Sequence, residues 1–228
     1  MEAREYQKAI DCLCGLIEDG QLTVGDKLPT ERALAEQLGI SRNSTREALR
    51  ALENLGVVER RQGSGSYLVG NTTKTIQPMI DMMLLLGQTS QLEICAFRRN
   101  MEKAVILAVL EKGTFPRWEE KLAPLVETPL MELSLEEQCR RDRAFHFTLI
   151  EATENRFWVS IGEAIVWVYN RWIDAVLETT GTEVKETVSQ AHRDMFLALK
   201  AGDRAACEAA IDRHYDTVHK ALLETPDL

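Results

Sequence analysis

Strand-forming residues are confined to one short stretch of this sequence, which limits the fold more than any other feature. Residues 57–70 read VVERRQGSGSYLVG, two β-prone runs on either side of a Gly-Ser-Gly turn. This pattern predicts a β-hairpin. All other recognisable periodicity is helical, so we expect a mainly α fold with one small hairpin.

The hairpin also divides the chain into two predicted domains. We expect helices plus the hairpin over residues 1–70, a linker over 71–76, and an all-helical bundle over 77–228. The linker prediction depends on the run GNTTKTI, which is polar and lacks periodicity. Ser90, Ser134 and Asp203 are predicted start signals. The predicted helices of the second domain cover residues 76–87, 91–112, 116–127, 134–153, 156–179, 183–200 and 203–224.

The overall charge excludes binding to nucleic acid through a generally basic surface. The 228 residues carry 27 basic and 36 acidic side chains, a net charge of −9. Binding to DNA would therefore need a local basic face. The most apolar runs, MIDMMLLLG and AVILAVL, are far shorter than the ~20 residues of a membrane helix. Five scattered cysteines and an amphipathic, helical N-terminal pattern in place of a signal peptide favour a cytoplasmic protein without membrane association.

A local basic face is predicted just before the hairpin. A short helix over residues 30–38, a turn at Gly39 and a longer helix from Arg42 form a helix-turn-helix pattern. The longer helix has one apolar arc and one polar arc. The polar arc contains Arg42, Asn43, Arg46, Glu47, Arg50 and Asn54.

These residue types suit the major groove of DNA. Arginine can bond guanine bidentately, and asparagine can bond adenine. Ser41 and Ser44, near the helix start, suit phosphate contact and helix capping. The alternative is a solvated helix face with internal salt bridges. The basic residues before the hairpin tip, Arg60 and Arg61, favour DNA binding.

A second candidate site lies in the helical domain. His146, His192 and His214 each lie on an apolar stripe of a different predicted helix, and Asp142 precedes His146 by one turn. Because an unpaired buried carboxylate is costly, a divalent ion bound by all four residues would offset the cost. Zn, Ni, Mn and Fe all suit such ligands. Histidines satisfied within the core are the alternative, and His219 is predicted to face away.

The N-terminal stretch resembles a known family. GDKLPTERALAEQLGISRNSTREALRALENLGVVERRQGSGSYLV is similar to the winged helix-turn-helix domain of GntR-family transcriptional regulators, over about residues 4–70. The resemblance implies a regulator, not an enzyme, that binds a palindromic double-stranded operator as a homodimer, often as a repressor. It implies DNA contact by Arg32, Ser41, Arg42, Asn43, Ser44, Arg46, Gln62 and Gly63.

The rest of the chain resembles the all-helical effector domain of the FadR subgroup of that family. The matching segments are FRRNMEKAVILAVL, DRAFHFTLIEATEN, AHRDMFLALKAGD and AAIDRHYDTV. Many members bind a metal through one Asp and three His at these positions, which implies Asp142, His146, His192 and His214 as ligands here.

The resemblance also implies a small organic acid as effector. Such a carboxylate could complete the metal shell, and Arg98 is the candidate partner for its far end. A surface or inter-helix salt bridge is the alternative for Arg98. Several aromatic residues could line a pocket or simply belong to the core: Phe145, Trp158, Trp167, Tyr169 and Trp172.

Two other functions fit parts of these patterns. A metal-dependent hydrolase with an appended nucleic-acid-binding module would use the open metal positions to activate water. However, no general base is evident beside Asp142 and His146. A regulator that senses an acyl thioester without a metal is the other alternative, and the complete Asp/His set argues against it.

Overall fold

The structure, a computed structural model, describes residues 2–70 and 73–224, without the side chains of residues 2–4, 73, 74 and 171. It divides the chain into two compact units, Met1–Pro78 and Met79–Leu228, called unit 1 and unit 2 below. The described residues form helices and one hairpin, which confirms the predicted fold class. Within the described ranges, none of the helices has the length and apolar character needed to cross a membrane.

Unit 1 contains a three-helix arrangement followed by a hairpin. Its helices are α1 (Glu2–Glu18), α2 (Glu31–Leu38) and α3 (Arg42–Asn54), and its strands are β1 (Val58–Arg61) and β2 (Gly65–Leu68). The strands are antiparallel, with Val58 opposite Leu68 and Arg61 opposite Gly65. The core consists of residues from all of these elements, including Leu13, Leu34, Leu49, Leu52, Val58 and Leu68.

The turn between α2 and α3 depends on one glycine. Gly39 ends α2 in the left-handed conformation, with φ 62° and ψ 37°, which is easily accessible only to glycine. Ser41 then caps α3, because its side chain accepts a hydrogen bond from the Ser44 backbone. These two residues set the angle at which α3 leaves α2.

Unit 2 is an all-helical bundle. Its helices are α5 (Gln91–Lys112), α6 (Phe115–Glu127), α7 (Leu135–Ala152), α8 (Arg156–Thr179), α9 (Thr182–Ala201) and α10 (Arg204–Glu224), with a short 3-10 turn at Leu130–Glu132. The predicted start signals are confirmed, since Ser90, Ser134 and Asp203 each accept a backbone hydrogen bond from the first turn of a helix.

Helix α4 (Thr73–Leu85) differs from its prediction. It begins three residues before the predicted residue 76, so residues 73–76 of the expected linker are helical; residues 71 and 72 lie outside the described residues. Threonine has only a weak intrinsic helix propensity, and the polar run therefore gave no helical signal. Pro78 lies inside this helix.

Helices α5, α7, α8, α9 and α10 enclose the centre of unit 2. The largest fully buried side chains there include Arg98, Phe145, Tyr169, Met195, Ile211 and Tyr215. An arginine among these residues is unusual, because charged side chains are rarely fully buried without a partner. The polar cluster that surrounds it forms the second candidate site.

Candidate functional site

Helix α3 buries one side against the unit 1 core and leaves the other side accessible. The buried side is apolar apart from Ser44 and Thr45. Arg42, Asn43 and Arg46 are exposed near the helix start. Side chains of these types, at the accessible start of a helix, can form hydrogen bonds with base edges in the major groove.

The two predicted serines differ in their surroundings. Ser41 is exposed, whereas Ser44 is only 4% exposed. The Ser44 hydroxyl donates to Glu5 Oε2 at 3.0 Å, and the Ser41 backbone N–H donates to the same oxygen at 3.2 Å. The bond from Ser41, followed by that from Ser44, lowers the pKa of Glu5. Ser44 is thus buried with its hydroxyl bonded to Glu5, whereas the other predicted DNA contacts are exposed.

The remaining predicted contacts of unit 1 are exposed on α2 and the hairpin tip. Arg32, in the first turn of α2, pairs loosely with Glu36 at 3.8 Å, and both side chains are about 70% exposed. Gln62 and Gly63 occupy the tip between β1 and β2 and are also exposed. Gly63 has a φ of 72°, which the tight turn requires and glycine tolerates.

In unit 2, the three predicted histidines converge from three helices. His146 on α7, His192 on α9 and His214 on α10 offer ring nitrogens that all lie within 4.8 Å of one another. The Nε2 atoms of His146 and His192 are 3.3 Å apart. His219 is exposed, which confirms that it faces away from the cluster.

Asp142 lies against the same cluster. Its Oδ1 atom is 3.6 Å from His192 Nε2 and 3.8 Å from His146 Nε2. Atoms bound to one ion at about 2.1 Å stand roughly 3–4 Å apart, so these separations fit a shared metal with small adjustments. The structure therefore brings the three predicted histidines together and places Asp142 within 4 Å of two of them, His146 and His192.

The hydrogen bonding of the cluster is incomplete in a way that fits a cation. Among the described residues, neither carboxylate oxygen of Asp142 and neither ring nitrogen of His214 has a hydrogen-bond partner, although both side chains are 1% exposed. Buried polar atoms in native proteins nearly always have partners. A metal ion at the centre would satisfy Asp142 and one nitrogen of His214 together.

Burial also sets the protonation of the ligands. It lowers the pKa of His192 and of His214 well below the ordinary value, and the nearby positive charge of Arg98 lowers both further. The two rings are therefore neutral and can donate a lone pair to a metal. Burial raises the pKa of Asp142, against the opposing effect of His146 and Arg98, so the carboxylate needs a compensating positive charge.

Glu102 on α5 is a member of the site that sequence reasoning missed. Its Oε1 atom forms a short hydrogen bond with His146 Nδ1, and Glu102 is 4% exposed. Burial raises its pKa, but the interactions with His146, together with the charge of Arg98, outweigh this and lower it. Because Glu102 accepts a hydrogen bond from Nδ1, the Nε2 atom of His146 remains available to the cluster. The sequence signal that could have identified Glu102 is its position four residues after Arg98.

Arg98 is buried at 1% exposure, which rules out a surface salt bridge. Its guanidinium lies over the Tyr169 ring, 4.2 Å from the centroid, and Nη1 and Nη2 have no hydrogen-bond partner among the described residues. Arg98 also lies near enough to Glu102 and Asp142 to interact with their charges. Its donors therefore remain available to an anion inside unit 2.

The predicted aromatic residues separate into two groups. Phe145 is fully buried, with its ring centroid 4.5 Å from that of His192, and Tyr169 packs on Arg98. Trp167 is 46% exposed, and Trp158 and Trp172 pack against the general core of unit 2. Of these five residues, Phe145 and Tyr169 have described contacts with members of the polar cluster.

Both units match known protein families. Residues 5–68 match the family described as bacterial regulatory proteins, gntR family, and residues 93–217 match the FCD domain. The HTH-type transcriptional regulator LutR of Bacillus subtilis is 30% identical over 91% of this chain and 96% of its own length. The Glc operon transcriptional activator of Escherichia coli K12 is 35% identical over 91% of this chain and 84% of its own.

A solved structure has the same fold. Streptococcus agalactiae GntR superposes with a TM-score of 0.70, covering 94% of this chain and 99% of that chain, at 23% identity. The Exu regulon transcriptional regulator of Escherichia coli K12 is 28% identical over 98% of this chain and 87% of its own length.

Proposed function

Since this chain belongs to the gntR family of bacterial regulatory proteins and is a DNA-binding transcriptional regulator, we propose that a small carboxylate at a metal ion in unit 2 controls its binding to DNA. The chain acts as a homodimer through residues 77–228 and represses transcription from a palindromic operator. A single observation supports the proposed metal site. Both oxygens of the buried Asp142 side chain lack hydrogen-bond partners among the described residues, and this side chain lies beside three converging imidazoles.

Unit 1 supplies the contacts to DNA. We assign base or backbone contact to exposed residues on α2, on α3 and at the hairpin tip: Arg32, Ser41, Arg42, Asn43, Arg46, Gln62 and Gly63. Ser44 acts indirectly by fixing the start of α3. In a dimer, two copies of α3 enter the major groove at half-sites about one helical turn apart.

A gel-shift experiment with a duplex selected by the wild-type protein from a random library tests the DNA assignment. Arg46→Ala should weaken binding about tenfold or more, because one bidentate arginine–guanine pair contributes about 1–3 kcal/mol. Arg117→Ala in unit 2 is the control of equal charge change and should bind as the wild type does. Equal binding by the two variants would remove Arg46 from the contact set.

In unit 2, Asp142, His146, His192 and His214 would hold a divalent ion, Zn, Ni, Mn or Fe. When bound, the ion supplies a Lewis-acidic position for an anionic ligand. The ion (+2) and Arg98 (+1), set against Glu102 (−1) and Asp142 (−1), leave a net charge of +1, which favours a carboxylate. The unpartnered Nη atoms of Arg98 can pair with its oxygens.

Elemental analysis of purified protein tests the ligand set. Wild type should contain about one metal ion per chain, and His146→Ala should lose most of it. His219→Ala is the matched control, because this histidine is exposed. Metal content that is the same in His146→Ala and in wild type would refute the site. A metal-free wild type that responds to acyl thioesters would support that alternative.

A thermal-shift screen of small carboxylates tests the effector, since a ligand bound only by the native state raises the melting temperature. Arg98→Gln should lose the shift and keep the metal. A reporter gene under the operator then gives the sign of regulation. Increased expression on addition of the carboxylate is expected of a repressor, whereas the related Glc protein is named an activator.

A further inference from the structure

Glu31 contacts both parts of the DNA-facing surface of unit 1. It is the first residue of α2. Its Oε2 atom accepts a hydrogen bond from Arg46 Nε at 3.2 Å, and its Oε1 atom accepts one from Arg60 Nη2 at 2.8 Å. Arg46 belongs to α3 and Arg60 to β1, so one carboxylate joins the helix and the hairpin that face DNA.

The nitrogen through which Arg46 bonds to Glu31 determines which N–H groups of its guanidinium remain available to DNA. Recognition of guanine O6 and N7 uses two parallel N–H groups of one guanidinium. Glu31 occupies Nε and therefore does not use the terminal pair, Nη1 and Nη2. A guanidinium held through Nε has fewer orientations available, and its terminal nitrogens are presented in a fixed direction.

The surroundings of Glu31 support a defined geometry. Its side chain is 28% exposed, compared with 44% for Arg46 and 45% for Arg60. A groove of about 440 Å³ separates the start of α2 from the hairpin, and Glu31 and Arg60 both line it. The ion pair between Glu31 and Arg60 joins two residues that line this groove, so it holds the hairpin at a set distance from the start of α2.

A carboxylate at this place is unfavourable for affinity alone, because DNA is a polyanion and each acidic group near it weakens association. Glu31 neutralises part of the charge of two arginines that could otherwise attract any phosphate. On the basis of the DNA contacts proposed above, we propose that Glu31 is a positioning residue for DNA recognition, which orients Arg46 and the hairpin toward the correct sequence and reduces binding to other sequences.

The proposal is tested with full-length protein on two duplexes of equal length and composition. One is selected by wild type from a random library, and the other is its scrambled version; dissociation constants are measured by fluorescence anisotropy at one salt concentration. Glu31→Gln should bind the scrambled duplex several-fold more tightly, and the ratio of specific to non-specific affinity should fall about tenfold.

Two further variants separate positioning from charge. Glu31→Asp keeps the charge but is too short to span both arginines, so its affinity for the scrambled duplex should stay near that of wild type while the ratio still falls. Glu36→Gln removes an exposed carboxylate from the same helix, one whose ion pair within the described residues is with Arg32. It should change affinity for both duplexes alike and preserve the ratio.

The outcomes are decisive for Glu31. The positioning role is overturned if Glu31→Asp keeps the wild-type ratio of specific to non-specific affinity. It is also overturned if Glu31→Gln and Glu36→Gln lower this ratio equally. If the wild-type protein itself fails to distinguish the two duplexes, the assignment of the DNA-facing surface fails instead. Circular dichroism of each variant confirms that unit 1 is folded before affinities are compared.

Discussion

At the scale of single residues, the polar cluster of unit 2 is defined by atoms that lack partners. Asp142, Arg98 and His214 each keep buried polar atoms without hydrogen bonds among the described residues. Each unsatisfied group costs about 1–3 kcal/mol, and more when charged. The chain retains several such groups around one point, which is the pattern of a binding site and not of a core optimised for stability.

Glu102 should contribute to metal affinity through His146. We expect Glu102→Gln to weaken metal binding about 10- to 100-fold, the usual effect of losing a carboxylate behind a metal-bound histidine. Competition with a chelator of known affinity measures this. Glu136→Gln, at an exposed position of α7, should leave the affinity unchanged. If both variants bind metal as wild type does, Glu102 has only a packing role.

The buried histidines should make metal-free protein sensitive to acid. Because burial lowers the pKa of His192 in the folded state, the unfolded chain takes up a proton below about pH 6.5 that the folded chain resists. Stability from this group is present above pH 6.5 and is lost as pH falls, by at most about 1.4 kcal/mol per pH unit.

Urea unfolding of the metal-free protein between pH 7 and 5 measures this loss. His192→Gln should show a shallower decrease than wild type. His219→Gln, which changes an exposed histidine, should follow the wild-type curve. A His192→Gln curve parallel to that of wild type would show that the ring is protonated in the folded protein.

At the scale of elements, apolar periodicity predicted the helices of unit 2 within a few residues, because each helix buries a continuous stripe. Periodicity does not reveal which helices meet. The bond between Glu102 and His146 depends on α5 lying against α7, and the burial of Ser44 depends on Glu5 of α1 reaching the start of α3. Such contacts join residues 44 and 39 positions apart, beyond any local pattern.

The turn between α2 and α3 gives a prediction at this scale. Gly39→Ala should destabilise unit 1 by about 1–2 kcal/mol, since a Cβ is unfavourable at φ 62°. No heavy atom lies within 4 Å of the added Cβ, so the cost is purely one of backbone conformation. Urea unfolding followed by circular dichroism measures it.

Gly15→Ala is the control of opposite sign. Gly15 lies within α1, and a Cβ there also meets no atom within 4 Å. Alanine in a helix interior should stabilise unit 1 by about 0.5–1 kcal/mol. If Gly39→Ala also stabilises the protein, the left-handed turn between α2 and α3 is absent in solution.

At the scale of the whole molecule, two units with separate cores should respond separately to metal. The proposed ligands all lie in unit 2, whose core is distinct from that of unit 1. Removal of metal with a chelator should lower the unfolding temperature of unit 2 and leave that of unit 1 unchanged. At a free metal concentration 100 times the dissociation constant, bound metal adds about 2.7 kcal/mol.

Differential scanning calorimetry with and without chelator, followed by addition of metal back, measures these transitions. His146→Ala should resemble chelated wild type and should not respond to added metal. A chelator effect of equal size in His146→Ala would locate the metal elsewhere in the chain.

The enclosure of the polar cluster has a consequence in time. Asp142, His146 and His214 are each 1% exposed, and His192 is 3% exposed, so a molecule bound among them can leave only when the surrounding helices part. Its exchange is then limited by how often unit 2 opens, on the microsecond-to-second scale of local unfolding, and not by diffusion. A regulator built this way would ignore brief changes in the concentration of its signal and respond to sustained ones.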